Sequence, residues 1–137
     1  TEWITGWTLF DILDRYNLRP LRDQLWSQRL LVMAHLIKAL GEVHRLGFIH
    51  GDVKDPNIMI SASGRIILVD WAFAVPIDDG SLQRPIGLQG TPKYMAPEAI
   101  ARNERGIMSD WWAMGVVIYS LLHQGVLPFD HPNNTML

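Results

Sequence analysis

The sequence predicts an α+β domain spanning residues 1–137, mainly helical, with a short β-hairpin. Three observations carry this. Residues 21–46 place Leu25, Leu30, Met33, Ala34, Ile37, Leu40, Val43 and His44 at helical spacing with no proline between them. Residues 110–123 are apolar on nearly all faces, which predicts a central helix. Ile58-Met59-Ile60 and Ile66-Ile67-Leu68-Val69 are β-type runs joined by Ser61-Ala62-Ser63-Gly64, the composition of a tight turn. With 137 residues, 48% of them apolar, the chain has enough material for one compact core.

The remaining elements follow in order. Trp3–Trp7, with Gly6, reads as a linker. Thr8 can cap a short helix over Leu9–Arg15, which ends before Pro20. Gly47 fits the stop of the long helix. Phe48-Ile49 is an apolar step into the stretch His50–Ala74. Residues 75–95 are rich in Pro, Gly and Asp and predict a long loop of the kind that often carries function. Ala96-Pro97-Glu98 opens a short helix to Ala101, and Ser109 can cap the central helix. The six tryptophans read as core and packing residues, and His123 and His131 as surface residues without metal-ligand spacing.

Bulk properties exclude several classes. A formal net charge of −2 gives no electrostatic footprint for nucleic acid or an anionic membrane. No cysteine is present, so disulfides and thiolate metal sites are excluded, and a cytoplasmic setting fits. The amino end is mixed and polar, unlike a signal peptide, and the run Trp111–Leu122 is too short to cross a bilayer. Both ends read as cut.

The chemistry concentrates in HGDVKDPNIMISASGRIILVDWAFA, residues 50–74. A hairpin brings its outer ends together, so Asn57 and Asp70 can converge. Their side-chain oxygens are hard ligands of the kind Mg²⁺ accepts when phosphates and waters complete its shell. Asp52 can take a proton from a hydroxyl nucleophile. Lys54 places a positive charge where a transferred phosphoryl group gathers negative charge. Taken singly, each has a bland reading: a turn aspartate, a turn asparagine, a solvated lysine, a packed histidine at His50. Together they describe phosphoryl transfer from a nucleotide.

These residues resemble the eukaryotic-type protein kinase family. HGDVKDPN resembles its catalytic loop, Asp70-Trp71-Ala72 its metal-binding D-F-G, and GTPKYMAPE (residues 90–98) the end of its activation segment. SDWWAMGVVIYSLL resembles the central helix of the large lobe, LPF (residues 127–129) the segment after it, and TEWITGWTLFDIL the hinge and first helix. The resemblance implies a partial kinase domain: the hinge and a mainly helical large lobe through the central helix, with the small lobe and last helices absent. It implies ATP and Mg²⁺ as cofactors, Asp52 as base and Lys54 as the phosphate-steadying cation. Asn57 and Asp70 would be the metal ligands. Glu2, Trp3 and Ile4 would face adenine, with Thr1 as gatekeeper and Met59 beneath the ring. Thr91 would bond near Asp52 and Lys54, Glu98 would anchor the activation segment, and His50 and Asp110 would be structural anchors. The lysine after Asp52 and the wording of GTPKYMAPE resemble Ser/Thr kinases.

The implied partner is a protein substrate, with neither nucleic acid nor membrane, and with a regulatory partner or the small lobe completing the cleft. An isolated chain of this extent is expected to bind ATP weakly, because half the cleft lacks a wall, and to expose apolar surface. Gly51 stands where the family carries an arginine that pairs with a phosphorylated loop, which disfavours switching through that contact, at Ser81 for example. Ala72 replaces a glycine and resists positive φ. Two other readings remain: an aminoglycoside- or choline-type phosphotransferase, favoured locally by Gly51 and Trp71, and a pseudokinase or truncated binding module.

Overall fold

The computed structural model describes residues 6–15, 26–77, 89–123 and 125–129. Glu2, Trp3, Ile4, Thr1, Ser81 and His131 lie outside the described residues. Gly6–Thr8 is not linker but strand β1. It pairs antiparallel with β3 (Ile58–Ser61), which pairs in turn with β4 (Ile66–Leu68). The hairpin is thus the inner part of a three-stranded sheet in the order β1-β3-β4. Register sets Thr8 opposite Met59 and Met59 opposite Ile67. Glycine at position 6 has a steric reason. A Cβ there would run into the Ile60 carbonyl and come within 3.0 Å of the Ser61 Cα.

Thr8 ends β1 and caps helix α1 (Leu9–Arg15) as expected. Its Oγ1 accepts the Asp11 amide at 3.0 Å, while Asp11 Oδ2 accepts the Thr8 amide at 3.3 Å, a reciprocal cap that satisfies two helix-end donors. Helix α2 (Trp26–Arg45) covers the long periodic stretch as far as it is described. It stops at Gly47, whose φ of +86° suits glycine and whose amide donates to the His44 carbonyl at 2.9 Å. Strand β2 (Phe48–Ile49) then pairs with β5 (Val75–Pro76), so the stretch after Asp70 is not all loop.

Helix α3 (Pro97–Arg102) ends with Asn103 in the left-handed region. Helix α4 (Ile107–Leu122) begins three residues before the expected position. Gly106 is its N-cap. Ser109 lies inside the first turn, and its Oγ accepts the Gly106 amide at 3.2 Å.

The core gathers Leu36, Leu40 and Val43 of α2, Ile58 and Leu68 of the sheet, and Met114, Val117 and Leu121 of α4. Each fully buried side chain of this size contributes about 1.5–3 kcal/mol. Helix α4 is not enclosed on all sides: Met108, Trp112 and Tyr119 are exposed. The four tryptophans whose burial is described are not in the fully buried core either. Trp7, Trp71 and Trp112 are exposed, and Trp111 is half-buried against the edge of the His44 ring. Rings at the surface still pack in pairs, as Trp112 does on Phe129 at 5.7 Å. His123 is a surface residue, as expected. No helix among the described residues is long and apolar enough to cross a membrane.

Candidate active site

A loop between β2 and β3 carries the site, and α4 holds that loop from below. Asp110, 2% exposed in the first turn of α4, accepts three hydrogen bonds from three donors. Its Oδ2 takes the His50 amide at 2.8 Å and His44 Nε2 at 2.9 Å, and its Oδ1 takes the Gly51 amide at 2.9 Å. A buried carboxylate is tolerated here because these donors replace its water shell. His50 is fully buried and locks the loop to the hairpin. Its Nε2 donates to the Val69 carbonyl at 3.0 Å and its Nδ1 accepts the Asp52 amide at 3.3 Å, which selects the neutral tautomer protonated on Nε2.

Asp52, Lys54, Asn57 and Thr91 meet in one network. Lys54 Nζ lies 2.7 Å from Asp52 Oδ2 and donates to Thr91 Oγ1 at 2.9 Å. The Thr91 hydroxyl donates to Asp52 Oδ1 at 3.0 Å. Asn57 Nδ2 donates to the Asp52 carbonyl at 2.9 Å and to Asp52 Oδ2 at 3.1 Å. A carboxylate offers about four acceptor positions. Three are used on the side chain, so Oδ1 retains one for an incoming hydroxyl. Asp52 is thereby fixed in orientation with acceptor capacity left over.

Asn57 and Asp70, the expected metal ligands, are placed through the sheet. The Val69 amide donates to the Asn57 carbonyl at 2.9 Å, which brings Asp70 to the loop that holds Asn57. Asn57 aims its amide nitrogen at Asp52, leaving its amide oxygen turned away from that carboxylate. Asp70 is exposed and sits at φ +60°, a conformation aspartate tolerates better than most residues. The Ala72 amide donates to its Oδ1 at 3.3 Å. Positive φ falls on Asp70 and not on residue 72, so alanine at 72 carries no backbone strain here. Among the described residues no group of three or more His, Asp or Glu side chains converges on a metal position. One amide oxygen and one carboxylate fit Mg²⁺ whose remaining ligands are phosphate and water.

Other expected site residues are spread around this centre. Met59 is half-buried in the middle strand. Glu98 is half-buried in the first turn of α3. Two further residues were not read from the sequence. Asp55 is buried, receives the Ser120 hydroxyl at 3.0 Å, and is pushed up to about 6 by burial, against the opposing hydrogen bonds of Ser120 and Tyr94. Arg105 is buried behind Gly51. The only sequence signal for it was the bare glycine at 51 beside a family pattern that carries arginine there.

Comparison with known proteins agrees with the motifs. The family model described as protein kinase domain matches residues 1–137. Citron rho-interacting kinase of Rattus norvegicus is 36% identical over 135 residues, covering 93% of this chain and 6% of that protein. Rho-associated protein kinase let-502 of Caenorhabditis briggsae is 33% identical, covering 93% of this chain and 10% of that protein. A cAMP-dependent protein kinase, catalytic subunit-like, of Caenorhabditis elegans is 33% identical over 121 residues, covering 88% and 28%. The chain thus spans less than a third of each of these relatives.

Proposed function

This chain belongs to the protein kinase family, and from that premise we propose that the polypeptide carrying it transfers the γ-phosphoryl group of ATP to serine and threonine hydroxyls of proteins. The observation that supports this best is the closed network of Asp52, Lys54, Thr91 and Asn57. Asp52 accepts the proton of the substrate hydroxyl at Oδ1, the oxygen with spare acceptor capacity. Lys54, fixed between Asp52 and Thr91, offers its ammonium to the transferred phosphoryl oxygens. Asn57 and Asp70 would hold Mg²⁺, which supplies charge neutralisation on the nucleotide phosphates. Asp110 keeps the loop that presents Asp52 in place through two backbone amides. The Ser/Thr preference is supported by the lysine after Asp52 and the GTPKYMAPE segment, and by a Dictyostelium discoideum relative, 34% identical over 136 residues, named a probable serine/threonine-protein kinase. Adenine contacts at Glu2, Trp3 and Ile4, and Met59 beneath the ring, belong to the same proposal, as does Glu98 as anchor of the activation segment.

The test is transfer from γ-labelled ATP to matched peptides bearing serine, threonine or tyrosine, with and without Mg²⁺, using the complete natural polypeptide. Label is expected on serine and threonine, to require Mg²⁺, and to vanish in Asp70→Ala. Label on tyrosine alone, or transfer that survives Asp70→Ala, contradicts the reading. Transfer to an aminoglycoside or choline but to no peptide would put the small-molecule alternative in its place.

A further inference from the structure

Two loops must be held in register for the site described above: the Asp70 loop on the metal side and the Thr91 loop on the proton-transfer side. One side chain touches both. Arg105, 5% exposed, donates from Nη1 to the Phe73 carbonyl at 3.0 Å and from Nη2 to Gln89 Oε1 at 3.0 Å. Phe73 lies in the turn Trp71–Ala74 that directly follows Asp70, and Gln89 lies two residues before Thr91.

Gly51 makes room for this guanidinium. A Cβ at residue 51 would sit 2.7 Å from Arg105 Nη1 and 2.7 Å from the Phe73 carbonyl oxygen. Residue 51 also has φ +81°, which glycine adopts without strain. Gly90 closes the same contact from the other side, with room for a Cβ only 3.3 Å from the Gly51 carbonyl oxygen. The planar guanidinium therefore fills the place a side chain at 51 would need. A lysine offers a single point-like nitrogen in place of the two donors on separate nitrogens used here.

The arrangement is expensive if it serves packing alone. A buried cation is bonded to two neutral acceptors, and its Nε has no hydrogen-bond partner among the described residues. Burial pulls the Arg105 pKa down, and the charge of Asp110 opposes that. Apolar side chains of similar volume are commonly as stable or more so than buried ionic groups. Arginine at this position gains its purpose from where its two bonds go.

We propose that Arg105 is a positioning residue for phosphoryl transfer: its guanidinium, seated against Gly51, clamps the Phe73 carbonyl to the Gln89 side chain and keeps Asp70 in register with Asp52 and Thr91. This rests on the kinase reading above. Arg105 does not touch the reacting atoms, so its effect falls on kcat through misplacement. A shift of about 1 Å at such a site can cost about 10²-fold.

The test uses steady-state phosphotransfer by the complete natural polypeptide. Arg105→Ala is expected to lower kcat by about 10²-fold, and guanidinium chloride at sub-denaturing concentration is expected to restore much of the loss, while ammonium chloride does not. Gln89→Leu, at a half-buried loop position, is expected to lower kcat by a smaller factor and to gain nothing from guanidinium. An Arg105→Ala enzyme with unchanged kcat, or a folded one that guanidinium does not restore, overturns the clamp. If Arg105→Ala does not fold, unchanged kcat in Gln89→Leu overturns it. Wild-type protein that transfers no phosphoryl group refutes the kinase reading instead. The clamp is then read from amide exchange at Gly90 and Thr91, which it requires to be faster in Gln89→Leu, and equal exchange overturns it.

Discussion

Replacing Asp55 with asparagine should reverse the usual sign of a buried-polar substitution. Asp55 is 3% exposed at the foot of the loop that carries Asp52, with Oδ2 bonded to Ser120 and Oδ1 without a hydrogen-bond partner among the described residues. Burial raises its pKa from 3.8 to about 6. The folded state therefore holds this proton more tightly than the unfolded chain does. That advantage is complete below the unfolded value and is lost as pH rises through the folded one. At about 1.4 kcal/mol per pH unit, the group gives up about 3 kcal/mol in all, about 2.4 kcal/mol of it between pH 4 and pH 7.

Asp55→Asn carries no such charge, but its amide nitrogen is left without an acceptor, at about 1–2 kcal/mol. The variant should fall about 0.5–1.5 kcal/mol below wild type at pH 4 and exceed it by about 1–2 kcal/mol at pH 7.5. The assay is urea denaturation of both proteins at a series of pH values, read as the difference in unfolding free energy. A difference that grows by about 2.4 kcal/mol from pH 4 to pH 7 supports the reasoning. A flat difference over that range refutes it, because Asp55 would then titrate alike in both states.

Two other substitutions probe the sheet and the network. Gly6→Ala places a Cβ against the Ile60 carbonyl and should destabilise by about 1–3 kcal/mol, seen as a lower Tm, with β1 leaving the sheet first in amide exchange. Thr91→Val removes the hydroxyl that links Lys54 to Asp52 while keeping shape, and should lower kcat by about 10-fold with KM for ATP little changed, a split that steady-state kinetics reads directly.

The site was more legible in the sequence than the framework around it. Asp52, Lys54 and Asn57 lie within one loop, so their spacing alone brings them together, and the hairpin that delivers Asp70 announces itself through two β-branched runs and a Ser/Gly turn. Thr91 needed the family pattern, since its contact with Asp52 crosses a long stretch of chain. Strand β1 was hidden because three residues starting with glycine carry no periodicity, and their pairing partner lies far along the sequence. The start of α4 was misplaced because Ser109 looks like an N-cap. It sits one turn inside, and its hydroxyl reaches back to the Gly106 amide. Of the tryptophans read as core and packing residues three stand exposed, and two of these, Trp71 and Trp112, pack against other rings. Arg105 was invisible for a simple reason: its meaning depends on an empty space at Gly51, and sequence does not display empty space.

The central claim is that Asp52 removes the proton from the acceptor hydroxyl. The measurement that tests it most directly is single-turnover phosphotransfer by wild type and Asp52→Asn in the complete polypeptide, with Mg²⁺·ATP affinity measured alongside. The account predicts a rate lower by about 10²–10⁴-fold with nucleotide affinity nearly unchanged. An Asp52→Asn protein that transfers phosphate at the wild-type rate would contradict it.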